Sequence, residues 1–107
     1  MIKAAFFYND DNMTGFTVSG HGTADGQDTG GRLVCAAVSS AAYMAANTIT
    51  EILKDTPEIK LRDGFMSVKK CNSELCRVLL SGLRLHIFAL SAEYPHLITI
   101  TEEKNYA

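Results

Sequence analysis

The sequence predicts an α+β fold, a two-layer sandwich of a mostly antiparallel five-stranded sheet with two helices on one face, in the order ββαββαβ. Three observations lead there. Residues 33–54 and 73–92 each repeat apolar side chains at helical spacing. Segments of two-residue alternation flank both of them. Between two such segments stands Asp63-Gly64, the dipeptide of a tight two-residue hairpin. Packing both helices on one sheet face is the economical way for a single domain of 107 residues to bury both stripes.

Taken in order, Ile2, Ala4, Phe6 and Tyr8 alternate with Lys3, Ala5 and Phe7, a first strand. Asn9-Asp10-Asp11-Asn12 is a turn cluster, and residues 15–19, with Phe16 and Val18 on one face, return as a second strand. Residues 20–32 contain five glycines and read as a loop. A first helix is expected over residues 33–54. Its buried stripe is Cys35, Val38, Ala42, Ala45, Ala46, Ile49, Ile52 and Leu53. So many alanines require the helix to lie close to whatever it covers. After Pro57, residues 58–62 and 65–69 form the hairpin. Its register pairs Arg62 with Phe65, Leu61 with Met66 and Ile59 with Val68, which puts the last four on one face. The second helix spans residues 73–92, capped by Asn72 or Ser73, with Cys76, Leu79, Leu80, Leu83, Ile87 and Leu90 as its stripe. Tyr94-Pro95 ends it, and residues 96–101 alternate as a last strand.

Composition narrows the function classes. A net charge of -2 without a basic stripe argues against a nucleic-acid binder. No uninterrupted apolar run reaches about 18 residues, so no membrane span is expected, and the N-terminus reads as a strand rather than a signal peptide. Three cysteines cannot all pair within one chain, and none has CxxC spacing. Reduced cytosolic thiols are the simplest account. Cys71 and Cys76 read as structural, His86 and His96 as ordinary histidines, and the acid pairs Asp10-Asp11 and Glu102-Glu103 as solvated.

The chemistry concentrates at Cys35. As read from the sequence, it sits in the first turn of the first helix, where the positive end of the helix dipole favours thiolate. The loop before it carries Gly20-His21-Gly22. A free cysteine among alanines ordinarily fills core, and a lone loop histidine is ordinarily solvated. The pair, joined by a glycine-rich loop, is the minimal kit of a thiol nucleophile and its base. Ser39, one turn beyond Cys35, is placed to bond the sulfur, a substrate or its own helix backbone. The amides of Cys35 and Ala36 are candidate oxyanion donors. A second reading is an anion- or peptide-binding module at the glycine-rich loop and helix N-terminus. Gly31-Arg32-Leu33-Val34 lacks the Gly-Lys-Ser/Thr of a P-loop, and Asp25 and Asp28 would repel phosphate.

Ser19-Gly20-His21-Gly22 followed by Leu33-Val34-Cys35-Ala36-Ala37-Val38-Ser39 resembles the ribosomal-processing cysteine protease family, Prp. The resemblance spans nearly the whole chain, and its specific part is residues 19–39. It implies a cytoplasmic endopeptidase that removes the N-terminal extension of large-subunit ribosomal protein twenty-seven. It further implies a homodimer with no cofactor and no metal, acting on a ribosomal protein precursor, with His21 and Cys35 catalytic. On the reading of the residues themselves, Gly20, Gly22, Ala36 and Ser39 bind or support the substrate, and the rival to a peptidase on this fold is a non-enzymatic ribosome-associated factor. The chain departs from the family at Gly22, which replaces an alanine, in a longer loop, and at Arg32, which stands where an aspartate is usual.

Overall fold

The structure is a computed structural model, and it describes residues 1–20 and 29–104. Its elements are β1 (Ile2–Asn9), β2 (Asn12–Gly20), α1 (Thr29–Asn47) with a π-helical turn (Thr48–Ile52), β3 (Glu58–Arg62), β4 (Phe65–Lys69), α2 (Glu74–Glu93) and β5 (Ile98–Glu103). The expected order ββαββαβ is the one found. The strands form one sheet in the order β3-β4-β2-β1-β5. Three of its four pairings are antiparallel, and β1 with β5 is parallel, so the sheet is mixed. Each helix therefore joins two parallel strands, α1 from β2 to β3 and α2 from β4 to β5. The starting strands run in opposite directions and the two crossings go opposite ways. The right-handedness of such crossovers then puts both helices on the same face.

The alternation of β1 works as read. Ile2, Ala4, Phe6 and Tyr8 are buried with the helices, and Phe6 faces Phe16 across the β1–β2 pair, both fully buried. Each phenyl ring removed from water contributes on the order of 2–3 kcal/mol. Register shifts by one residue between Phe7 and Tyr8, so Thr14 bulges from β2. Its carbonyl accepts the Cys71 amide at 2.9 Å. Beside the bulge, a Cβ on Gly15 would stand 2.1 Å from the Val68 carbonyl oxygen, so β2 and β4 meet there only because that residue is glycine.

The Asp63-Gly64 hairpin has the expected register, with Arg62 opposite Phe65, Leu61 opposite Met66 and Ile59 opposite Val68. Met66 and Val68 are core, whereas Ile59 and Leu61 on the outermost strand are exposed.

Helix α1 departs from expectation at both ends. It begins at Thr29 rather than at residue 33, taking Gly30, Gly31 and Arg32 into the helix. At its far end Thr48 Oγ1 donates to the Met44 carbonyl at 2.7 Å, and Thr50 Oγ1 donates to that of Ala46 at 3.2 Å. These hydroxyls compete for carbonyls that the helix ladder would use. The turn widens to the π form, in which the Leu53 amide reaches the Thr48 carbonyl. Ile49 stays fully buried, while the widened turn leaves Ile52 exposed rather than in the stripe.

Helix α2 is capped by Ser73, whose Oγ accepts from the Cys76 amide and donates to Asp55 Oδ2 at 2.6 Å. Cys76, Leu80, Leu83 and Ile87 are buried, with Leu79 and Leu90 half-buried against the same core. By length and composition alone both helices would pass for membrane spans. Each nonetheless lays its stripe on the sheet.

The last strand lies two residues later than read, and Glu102 is not merely solvated. It accepts from Tyr8 Oη at 2.5 Å and from Arg84 Nε and Nη2, which ties β1, β5 and α2 together. The Arg84 guanidinium, helped by the Tyr8 hydroxyl, holds the Glu102 carboxyl down to about 2. Burial and the carboxylate push the Tyr8 phenol up to about 12. A lowered carboxyl stabilises the fold above its unfolded value of 4.5, and that contribution fades as pH falls towards 2. Glu102→Gln is therefore expected to lower the thermal midpoint at neutral pH. The gap from wild type should close between pH 4.5 and 2, which midpoints measured across that range will check. The gap should be modest, since solvent screens this partly exposed pair.

Candidate active site

Spacing along α1 builds the site. Cys35, Ser39 and Tyr43 recur every four residues, so they rise along one helix face. That face forms one wall of a groove of ≈ 570 Å³, whose opposite wall is the β3–β4 hairpin from Leu61 to Met66. The floor is the end of β2, at Val18 and Gly20. Gly20 is placed by its own chemistry. Its φ of 93° is a conformation other residues adopt poorly, and a Cβ there would lie 2.3 Å from the Met1 carbonyl oxygen. Its amide donates to the Gly64 carbonyl at 2.9 Å, fixing the hairpin tip to the end of β2. Arg62 stacks over the Phe65 ring at 4.4 Å on the far wall.

Three of the residues singled out in the sequence, Cys35, Ser39 and Gly20, meet in this groove. Cys35 is half-buried at its edge and Ser39 is exposed; Ala36 is exposed and turned out of it. His21 and Gly22, together with Asp25 and Asp28, lie outside the described residues. One expectation needs correction. Because α1 starts at Thr29, Cys35 is in the second turn, and the amides of Cys35 and Ala36 belong to the regular helix ladder. They are not spare oxyanion donors, and the sulfur sits further from the helix end than a first-turn residue would. Arg32 is exposed and does not line the groove.

Sequence reasoning passed over Tyr43 and the far wall. Tyr43 was within reach, as the next residue in the four-residue series from Cys35. The hairpin tip was not, because only the tertiary fold brings it opposite α1. Among the described residues no group of three or more histidine, cysteine or acidic side chains gathers as for a metal ion.

The three thiols differ sharply. Cys71 and Cys76 are buried together, and burial above all pushes both thiols well up from their usual range. Mild iodoacetamide is therefore expected to label Cys35 first by a wide margin, as read by peptide mass mapping. Faster labelling of Cys71 or Cys76 would remove the physical basis for choosing Cys35.

Residues 1–99 match the family model described as cysteine protease Prp. The chain belongs to that family. It is thus a Prp-family cysteine protease. No curated protein matches the sequence. Solved structures share the fold. SMU.848 from Streptococcus mutans superposes with a TM-score of 0.85 at 22% identity, over 97% of this chain and 95% of that one. An essential ribosomal processing protease Prp from Staphylococcus aureus, in complex with a substrate peptide, gives 0.86 at 21% identity, over 96% and 100%. The same protease with a covalently linked product peptide gives 0.84 at 22% identity, again over 96% and 100%.

Proposed function

We propose that this Prp-family protease removes the N-terminal extension from the precursor of large-subunit ribosomal protein twenty-seven, using Cys35 as nucleophile and His21 as acid–base partner. The observation that carries the reading is the position of Cys35, a half-buried thiol on the wall of the groove between α1 and the β3–β4 hairpin, whereas Cys71 and Cys76 are buried. The S. aureus relative, a ribosomal processing protease seen with a substrate peptide, supports the substrate class.

In the proposed reaction His21 accepts the Cys35 proton and the thiolate attacks the scissile carbonyl. Collapse of the tetrahedral species breaks the C–N bond, and His21 returns the proton to the leaving amine. Water then hydrolyses the thioester. Ser39 and Tyr43, on the same helix face, border the path of the peptide. No metal or cofactor enters these steps. The aspartate usual in the family is replaced by Arg32, so the pair acts as a bare dyad. Cytoplasmic location and a homodimer belong to the same reading. The outward face of the helix layer supports a dimer, since Met44, Val78 and Leu85 are all more than half exposed there.

The test is direct. The protein and its Cys35→Ala form are incubated with the extended ribosomal protein, and product masses are read. A single cut near the N-terminus by the wild type alone supports the proposal; an uncut precursor overturns it.

A further inference from the structure

The groove continues into an open sheet edge. Strand β3 is the outermost strand on that side, and all five of its residues are exposed. In a two-residue hairpin the residues flanking the turn exchange both of their hydrogen bonds, and pairing then alternates. Arg62, Lys60 and Glu58 therefore spend their backbone groups on Phe65, Ser67 and Lys69. Ile59 and Leu61 point their N–H and C=O groups outward, and no backbone partner meets them among the described residues. Their side chains lie on the helix side, where Ile59 is 39% and Leu61 55% exposed. Leu61 and Arg62 also line the groove beside Cys35 and Tyr43. The other sheet edge, β5, is at the opposite end of the strand order.

From this continuity we infer that the substrate binds as an added strand on β3, pairing its backbone with Ile59 and Leu61 as it enters the groove of Cys35. The inference rests on the proposed peptidase reading and names how that site selects its substrate. Side chains of the peptide facing the helix layer meet Ile59, Leu61 and Tyr43, an apolar surface. Those on the other face lie beside Glu58, Lys60 and Arg62, a charged row that disfavours apolar groups. The selected segment is thus extended, with apolar and polar side chains in alternation. Main-chain bonds hold it and alternate side chains set the choice.

The test reads binding apart from cleavage. A fluorescein-labelled peptide spanning the processed N-terminus of ribosomal protein twenty-seven is titrated into Cys35→Ala protein by anisotropy. Ile59→Pro and Leu61→Pro each delete one outward donor while leaving the β4 ladder whole, a tolerated place for proline on an edge strand. Ile59→Ala and Leu61→Ala keep the donor and lose the side chain. Each proline is expected to weaken binding about three- to tenfold more than its alanine counterpart, the usual worth of one hydrogen bond. A second measurement needs no variant of the protein beyond Cys35→Ala: N-methylating the peptide one residue at a time should weaken binding at every second position. Penalties without that alternation, or prolines no worse than alanines, would overturn the strand addition while leaving the peptidase intact. A solution dimer that Leu61→Pro dissociates with no change in peptide affinity would likewise overturn it, assigning the edge to a second copy. Alternating penalties in a protein whose wild type cuts no precursor would uphold strand addition and overturn the peptidase.

Discussion

Replacing Cys35 with alanine is expected to abolish cleavage, a fall on the order of 10⁴-fold or more, as when the nucleophile of a covalent mechanism is removed. The fold should survive. The position is half-buried in a helix already rich in alanine, and alanine is the best helix former. Only a half-buried sulfur is lost, so the unfolding midpoint should move little. Mass analysis of the products and circular dichroism of the same sample check both halves. Residual cleavage within tenfold of wild type would mean that another group attacks the carbonyl, and neither Cys71 nor Cys76 could take over without unpacking the core.

His21→Ala should produce the second largest loss, at least about a hundredfold, since a positioned acid–base group contributes 10²–10⁴. The residue before it, Gly20, lines the groove that Cys35 borders and is held there by Gly64. In the proposed reaction His21 takes the Cys35 proton, so the same substitution should slow alkylation of Cys35 at neutral pH. Turnover near normal would place the base elsewhere. Loss of turnover with an unchanged alkylation rate would confine His21 to the later protonation of the amine.

Much of this architecture could be read from the chain, and the reasons differ by element. The hairpin at Asp63-Gly64 was legible to the residue because a two-residue turn fixes register locally. The start of α1 was hidden by Gly30 and Gly31, poor helix formers on their own. Gly31 is buried, and tertiary packing overrides its propensity. The π-helical turn depends on hydroxyls choosing helix carbonyls, which no periodicity reveals. β5 was placed two residues early because Glu102 and Glu103 look like a solvated tail. Only the fold shows that Tyr8 and Arg84 wait for Glu102. At the site, the helix half followed from spacing, and the facing hairpin required the crossover of the chain.

The parallel pairing of β1 with β5 has a consequence for how the protein is made. As the chain is made, β1 finds one neighbour, β2, almost at once, but its other neighbour, β5, follows only after β3, β4 and both helices. At about 5–20 residues per second the nascent chain must hold Ile2, Ala4 and Phe6 for several seconds without that flank. Sheet closure spans nearly the whole contour, a high contact order that slows folding relative to a hairpin. The α2–β5 segment then acts as a latch thrown after the other four strands are made, and Glu102, by engaging Tyr8 and Arg84 together, is the tooth that catches.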